Sequence, residues 1–245
     1  MTRDYDLDKA AERGNPSFVW RAGQERRLAM IRRYVPLENR RVLDVGCGIG
    51  MYPSAFRRYT PDVIGVEIEL ERAREARVRT RAVIQARSES LPFADDTFDV
   101  VHSNEVLEHV EDDRRSVTEM VRVLRPGGHA AIFVPNRGYP FETHGVYWRG
   151  RYHFGNKPLV NWLPNPLRDR LAPHVRVYTA RDLRRLFDHL PVRIVVHTQI
   201  FPGYDNVVAR KPRLGALLQR VSYAVERTPL RILGLSHFLV FRVLE

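Results

Sequence analysis

The sequence predicts an α/β fold around a mostly parallel sheet, and three observations carry that prediction. Short apolar runs alternate with charged segments of helical character from residue 42 onward. The first run ends in Gly46-Cys47-Gly48-Ile49-Gly50, where the chain must turn sharply. The second run ends in a carboxylate, Glu67. Strands that alternate with helices make right-handed βαβ units, and these build parallel sheets with helices on both faces.

The elements follow in order. Residues 42–45 are the first strand, 53–59 a short helix and 62–67 the second strand. Residues 69–80 read as a charged surface helix and 82–86 as a third strand. A fourth strand spans 98–102, and a helix is expected from Glu105 to about Leu124 with a break near 111–113. Pro126-Gly127-Gly128 marks a turn into a strand over 130–134. The rhythm then stops: residues 136–178 are rich in Pro, Gly, His and aromatics and lack a clear period, which is the pattern of a functional lid. It resumes with a helix over 180–188 and a strand over 192–201. Leu214, Leu217, Leu218, Val221 and Val225 fall at helical spacing and predict one amphipathic helix covering the core. Residues 238–244 close the chain as a strand. The whole reads as one domain of four parts: an N-terminal helical cover (1–40), a core (41–136), a lid (137–178) and a C-terminal half (179–245).

Composition narrows the classes. With 245 residues and 44% hydrophobic content, the chain can bury a full core. The most apolar stretch, around Phe238–Phe241, is interrupted by Ser236, His237 and Arg242, far short of a membrane span. Residues 1–9 carry Arg3, Asp4, Asp6 and Asp8 where a secretion signal would be apolar, so a cytoplasmic protein is expected. A single cysteine, Cys47, excludes an internal disulfide and a cysteine-cluster metal site. The net charge of +11 comes from arginines dispersed along helices and favours anionic partners without naming one.

The motifs name one. A dinucleotide fingerprint needs its third glycine where this chain has Met51. The spacing found, Gly-x-Gly-x-Gly with Asp44 two residues before Gly46, resembles motif I of class I S-adenosylmethionine-dependent methyltransferases. Glu67 at the second strand's end, the stretch 89–101, and Leu124-Arg125-Pro126-Gly127-Gly128 before an apolar strand resemble the same family in the same order. The resemblance implies a Rossmann-like seven-stranded sheet with an antiparallel last strand and an insertion after strand five. It implies S-adenosyl-L-methionine as cofactor, held by Asp44, Gly46, Cys47, Gly48, Gly50, Ser88 and Asn104, with Glu67 on the ribose hydroxyls. Many members carry an aspartate for the adenine amino group where Arg87 stands here. Arginine has no acceptor, so that contact is either lost or taken over, for instance by a neighbouring backbone carbonyl, while the Ser88 N–H could still reach the ring.

The acceptor side is read from Glu105-Val106-Leu107-Glu108-His109. On a helix, Glu105, Glu108 and His109 would share one face beside the cofactor's methyl. They resemble the Glu-x-x-Glu-His of metal-dependent small-RNA 2′-O-methyltransferases and of ubiquinone-pathway O-methyltransferases, with His144 supplying a further ligand. This implies an Mg²⁺ or Mn²⁺ site of Glu105, Glu108, His109 and His144. The competing reading has the acids stabilise a helix terminus and leaves His109 or His144 as general base. The acceptor expected is a small molecule or a glycan or lipid precursor, methylated at oxygen. Aromatics and arginines over 144–157 are expected to grip it, and His174 to face the same pocket.

Three rivals stand beside this reading. A nicotinamide dehydrogenase is opposed by the glycine spacing. An RNA methyltransferase is favoured by charge but opposed by the lack of an appended RNA-binding module. A non-catalytic cofactor-binding relative is opposed by the intact glycines and Glu67. Arg213, Arg220 and Arg227 flank the amphipathic helix, so contact with anionic lipid is a further expectation. The oligomeric state is left open.

Overall fold

The computed structural model describes residues 20–245. The expected cover is therefore seen only from Trp20, and the reading of residues 1–9 lies outside the described residues. Seven strands form one sheet in the order β10-β11-β5-β4-β1-β2-β3. They are β1 (Val42–Val45), β2 (Val63–Glu67), β3 (Val83–Gln85), β4 (Phe98–Asn104), β5 (Leu124–Pro135), β10 (Val192–Ile200) and β11 (Ser236–Val243). The pairs along β3-β2-β1-β4-β5 are parallel, and β11 runs antiparallel to both β5 and β10. The sheet and its reversed last strand are as expected.

The inner strands are buried on two faces, whereas the edge strands β3 and β10 are partly exposed, and alternation along the chain decides which side chains go where. Leu43 and Val45 of β1 face a core with Val101, Leu107, Met120 and Leu183. That side is covered by α4 (Asp113–Arg122) and α6 (Ala180–Arg185). Val42 faces the other core, with Leu28, Ile31, Tyr52 and Phe56 from α1 (Ala22–Tyr34) and α2 (Met51–Phe56). Across β5 and β11, Phe133 and Phe238 are register partners and stack at 4.7 Å. The helix α3 (Leu70–Arg79) joins β2 to β3 and buries only Ala73 and Ala76, as its charged sequence requires.

Three local expectations are corrected. The strand β5 begins at Leu124, and Pro126-Gly127-Gly128 is a bulge inside it. Phe98 pairs with Leu124 but Val100 pairs with His129, and Gly127 takes φ 76° to absorb the extra residues. The expected helix from Glu105 does not form: Glu105 leaves β4 with φ 56°, residues 107–110 are turns, and α4 begins only at Asp113. Asp112 caps α4 by accepting from the Arg115 N–H. The amphipathic helix is present as α8 (Pro212–Val225), preceded by α7 (Asp205–Arg210), but its stripe is turned outward. Gly215 and Ser222 are its buried residues, with Gly215 held too close to Val208 for any side chain, while Leu214, Leu217 and Val221 are exposed.

The aperiodic stretch is ordered by its own small pairings. The strands β6 (Phe141–Glu142) and β9 (Lys157–Pro158) pair, as do β7 (Val146–Trp148) and β8 (Arg151–His153). A 3-10 turn and α5 (Asn165–Leu171) follow. Buried Arg168 of α5 pairs with buried Glu142 at 3.2 Å and donates to the Val175 carbonyl, which ties the stretch together. No helix among the described residues is long and apolar enough to cross a membrane.

Candidate functional site

A cavity of about 1060 Å³ opens above the carboxyl ends of β1, β2 and β4, where the strand order reverses between β1 and β4. Its floor is the glycine loop. Gly46 and Gly50 take φ of 71° and 85°, which side chains resist, and both are packed against neighbours. A Cβ on Gly46 would stand 2.3 Å from Val106 Cγ2. Glu67 fixes the loop from β2: one carboxylate oxygen accepts from the Gly48 N–H at 2.8 Å and the other from the Glu69 N–H at 3.0 Å. Glycine loop and carboxylate are thus one unit, and Gly46, Cys47, Gly48, Ile49 and Glu67 line the cavity, whereas Gly50 does not and packs instead against Ala76 of α3.

The other expected cofactor residues are distributed around it. Asp44 lies at the cavity's edge but is buried, and its carboxylate is 2.6 Å from Nδ1 of fully buried His102. The two are register partners on β1 and β4, and Tyr52 and Phe56 enclose the imidazole. Burial raises the Asp44 carboxyl, against the pull of His102. Cys47 is buried, and burial beside Asp44 and Glu67 drives its thiol far above its ordinary range, so it is a packing residue and not a nucleophile. The Ser88 hydroxyl is 2.9 Å from Ser116 Oγ. Arg87 reaches Glu111 at 2.6 Å, so the cavity wall at the expected adenine position is an ion pair. The Asn104 side chain accepts from Arg27 of α1.

Arg27 is a residue that sequence reasoning missed. It donates to Asn104, to Glu105 at 3.1 Å and to Ser236 of β11 at 3.0 Å, so it joins three distant parts of the chain. Burial alone would raise the Glu105 carboxyl, but Arg27, then His144, bring it below its ordinary range. This committed carboxylate stands outside the cluster in which potential ligand atoms converge. That cluster is Glu108, His109 and His144, with such atoms within 4.8 Å of one another. The shared helical face does not exist. Turns bring Glu105 and His109 to the cavity lining, while Glu108 is buried and does not line it, and the segment is clasped from outside by Arg176, whose N–H donates to the Glu108 carbonyl at 3.0 Å. The Tyr178 hydroxyl adds a bond to the Leu107 carbonyl at 2.9 Å.

The three residues differ in state. Among the described residues, His109 Nδ1 has no hydrogen-bond partner and no N–H donates to either Glu108 oxygen, and all three atoms are buried. The Glu108 carboxyl has the neighbouring Glu105 carboxyl as its partner, a bond it makes as the neutral acid. Burial, then the neighbouring Glu105, pushes the Glu108 carboxyl well up, toward the neutral acid. Burial, then His144, lowers His109 to about 3, so its ring stays neutral. His144 is held differently. Its Nδ1 is 3.1 Å from Glu142, whose same oxygen accepts the His144 backbone N–H at 2.8 Å. Burial would raise the Glu142 carboxyl, but His144 and Arg168 outweigh it and keep it ionised. An ionised carboxylate only accepts, so Nδ1 carries a proton, and in the neutral form of the ring the lone pair is on Nε2. His174, expected to face the pocket, does not line it: its Nε2 is 3.4 Å from the His144 carbonyl and its ring packs edge-on against Tyr147 and Tyr152.

Comparison with known proteins agrees with this geometry. Residues 43–132 match the methyltransferase-domain family. An uncharacterized methyltransferase from Mycobacterium sp. strain KMS is 46% identical over 108 residues, covering 43% of this chain and 42% of that protein. The ubiquinone biosynthesis O-methyltransferase of Sinorhizobium medicae strain WSM419 is 33% identical over 138 residues, covering 53% of this chain and 52% of that one. The chain thus matches about half or less of the length of these relatives. The crystal structure of an S-adenosylmethionine-dependent methyltransferase from Mesorhizobium loti shares the fold, with a TM-score of 0.59 at 19% identity over 96% of this chain and 99% of that one.

The loop geometry makes a prediction. Gly46→Ala meets both a left-handed φ and Val106, and is expected to lower unfolding free energy by about 1–3 kcal/mol in urea titration. Adding Val106→Ala should restore part of that loss. A Gly46→Ala protein as stable as the parent would contradict the account.

Proposed function

We propose that this protein, in which residues 43–132 form a methyltransferase domain, transfers the methyl group of S-adenosylmethionine to an oxygen of a small-molecule, glycan or lipid-precursor acceptor. One observation carries the reading: the glycine–Glu67 unit and the oriented His144 line the same cavity. The cavity fits the cofactor chemically. Left-handed glycines leave the backbone open to close approach, and each Glu67 oxygen, engaged by one backbone N–H, keeps capacity for a ribose hydroxyl. The bound cofactor supplies a sulfonium methyl carbon. Transfer of that methyl to oxygen would leave the carbon–sulfur electron pair on sulfur and would require this chain to take up the acceptor's proton.

His144 Nε2 is the group placed to take that proton, since Glu142 holds Nδ1 and sets the tautomer. Burial makes His109 too weak a base for the task, and it lines the cavity as a neutral wall. The preference for oxygen rests on this base and on the likeness to the Sinorhizobium O-methyltransferase. Arg87 and Glu111 line the cavity where adenine is expected, so the amino group would meet backbone acceptors there instead of an aspartate.

Titration with S-adenosylhomocysteine separates the two halves of the reading. Glu67→Ala is expected to weaken binding about tenfold or more, the loss of one to two hydrogen bonds to a charged group. His144→Ala is expected to leave that affinity unchanged and lower kcat by about 10²–10⁴-fold. Undiminished affinity in the first variant, or undiminished turnover in the second, would overturn the corresponding assignment.

A second reading gives Glu108, His109 and His144 a divalent cation, supported by the convergence of their ligand atoms within 4.8 Å and the buried, unpartnered Nδ1 of His109. Two imidazoles and one carboxylate suit Mn²⁺ and its transition-metal neighbours better than Mg²⁺. Such a cation would ionise Glu108 and lower the pKa of an acceptor hydroxyl. On this reading calorimetric titration with Mn²⁺ gives a saturable heat that Glu108→Gln abolishes. No heat, or an unchanged heat in the variant, leaves the metal-free base as the mechanism.

A further inference from the structure

We infer that the apolar and basic surface beside the cavity mouth docks on an anionic lipid bilayer. The surface has two parts that meet. On α8, Leu214, Leu217 and Val221 follow one another at helical spacing and are 44%, 57% and 53% exposed. In the 3-10 turn after it (Pro229–Leu233), Leu230 and Ile232 are 56% and 59% exposed. The second part belongs to the lid, where Trp148 and Trp162 are more than half exposed, as are Phe154 and Leu159. The parts meet at Gly138: the Ile232 carbonyl lies where a Gly138 Cβ would be, and Trp162 Nε1 donates to the Gly138 carbonyl at 3.1 Å.

Large exposed aliphatic and aromatic side chains gathered in one region mark an interaction surface. Charge chooses the partner. Arg213, Arg220, Arg227 and Arg231 are exposed around the aliphatic patch, and among the described residues none of their side chains makes an ion pair. From residue 206 to 235 the only acid is Glu226, which is engaged by Arg26 and by the Phe201 N–H. Arg149 and Arg151 add exposed positive charge beside Trp148 on the lid. Aliphatic side chains ringed by unpaired arginines, with tryptophans at the margin, are what the headgroup region of an anionic membrane recognises. A protein partner would need acids to match, and an RNA partner would not use the aliphatic stripe.

The surface is tied to the cavity. Gln219 of α8 donates to the Gly203 carbonyl at 2.7 Å and Tyr204 bonds Ser222, while Gly203, Tyr204 and Phe154 line the cavity. Docking would therefore present the mouth to the bilayer, and an acceptor with an apolar tail could enter from it; this last step alone rests on the methyl-transfer reading.

Vesicle sedimentation tests the surface independently of turnover. The full-length protein is expected to pellet with vesicles of phosphatidylcholine containing phosphatidylglycerol, and far less with phosphatidylcholine alone. One arginine near such a surface contributes about fivefold in binding, so Arg213→Glu with Arg220→Glu should lower partitioning by more than about tenfold. Leu217→Asp with Val221→Asp should do the same at low salt. All four positions are exposed, and unchanged circular dichroism and S-adenosylhomocysteine affinity would show the variants intact. No pelleting with anionic vesicles, equal pelleting with neutral ones, or binding indifferent to the substitutions would overturn the inference. So would a lipid-free dimer that the aspartates dissociate, since a second copy would then cover the stripe.

Discussion

The Glu67 carboxylate, accepting from the Gly48 and Glu69 backbone N–H groups, is the constraint on which the rest of the site depends. It binds the exit of β1 to the exit of β2 and so holds a loop whose glycines occupy conformations that most residues avoid. The loop in turn packs Gly46 on Val106, which belongs to the segment that carries Glu108 and His109. Through these contacts a single carboxylate links the cofactor side of the cavity to its acceptor side.

The acceptor side is built by contacts of long range. Arg27 from α1 pins Glu105 at the left-handed exit of β4, and Arg176 holds the Glu108 carbonyl from the far end of the lid. Glu142 and Arg168, both inside the lid, set the orientation of His144. Removing either member of that buried pair would leave an uncompensated charge. The lid thus carries His144, the proposed base, to the cavity lining.

How much of this was legible follows from the range of the interactions. Motif spacing over residues 42–67 specified the strand–glycine–helix unit because its causes are local: φ above zero at Gly46 and Gly50, and β-branched strands on both sides. The seven-stranded sheet with its antiparallel last strand was expected through the family resemblance, since the direction of β11 is set by its distant partners β5 and β10. Residues 105–110 were not, since Glu-Val-Leu-Glu-His favours helix by propensity while the Arg27 and Arg176 contacts, made by residues far off in the chain, impose turns. Periodicity foretold α8 but not its facing: the spacing of Leu214, Leu217 and Val221 is the same whether the stripe looks inward or out. Asp44 was legible as part of a motif, but its partner His102 is known only from the β1–β4 register.

The most direct measurement is a crystal structure with S-adenosylhomocysteine bound. The account predicts both ribose hydroxyls about 3 Å or less from Glu67, the homocysteine tail along Gly46–Gly48, and the sulfur facing His144 across open space for an acceptor. A nucleoside bound away from Glu67, or a sulfur turned from the His109–His144 wall, would contradict it.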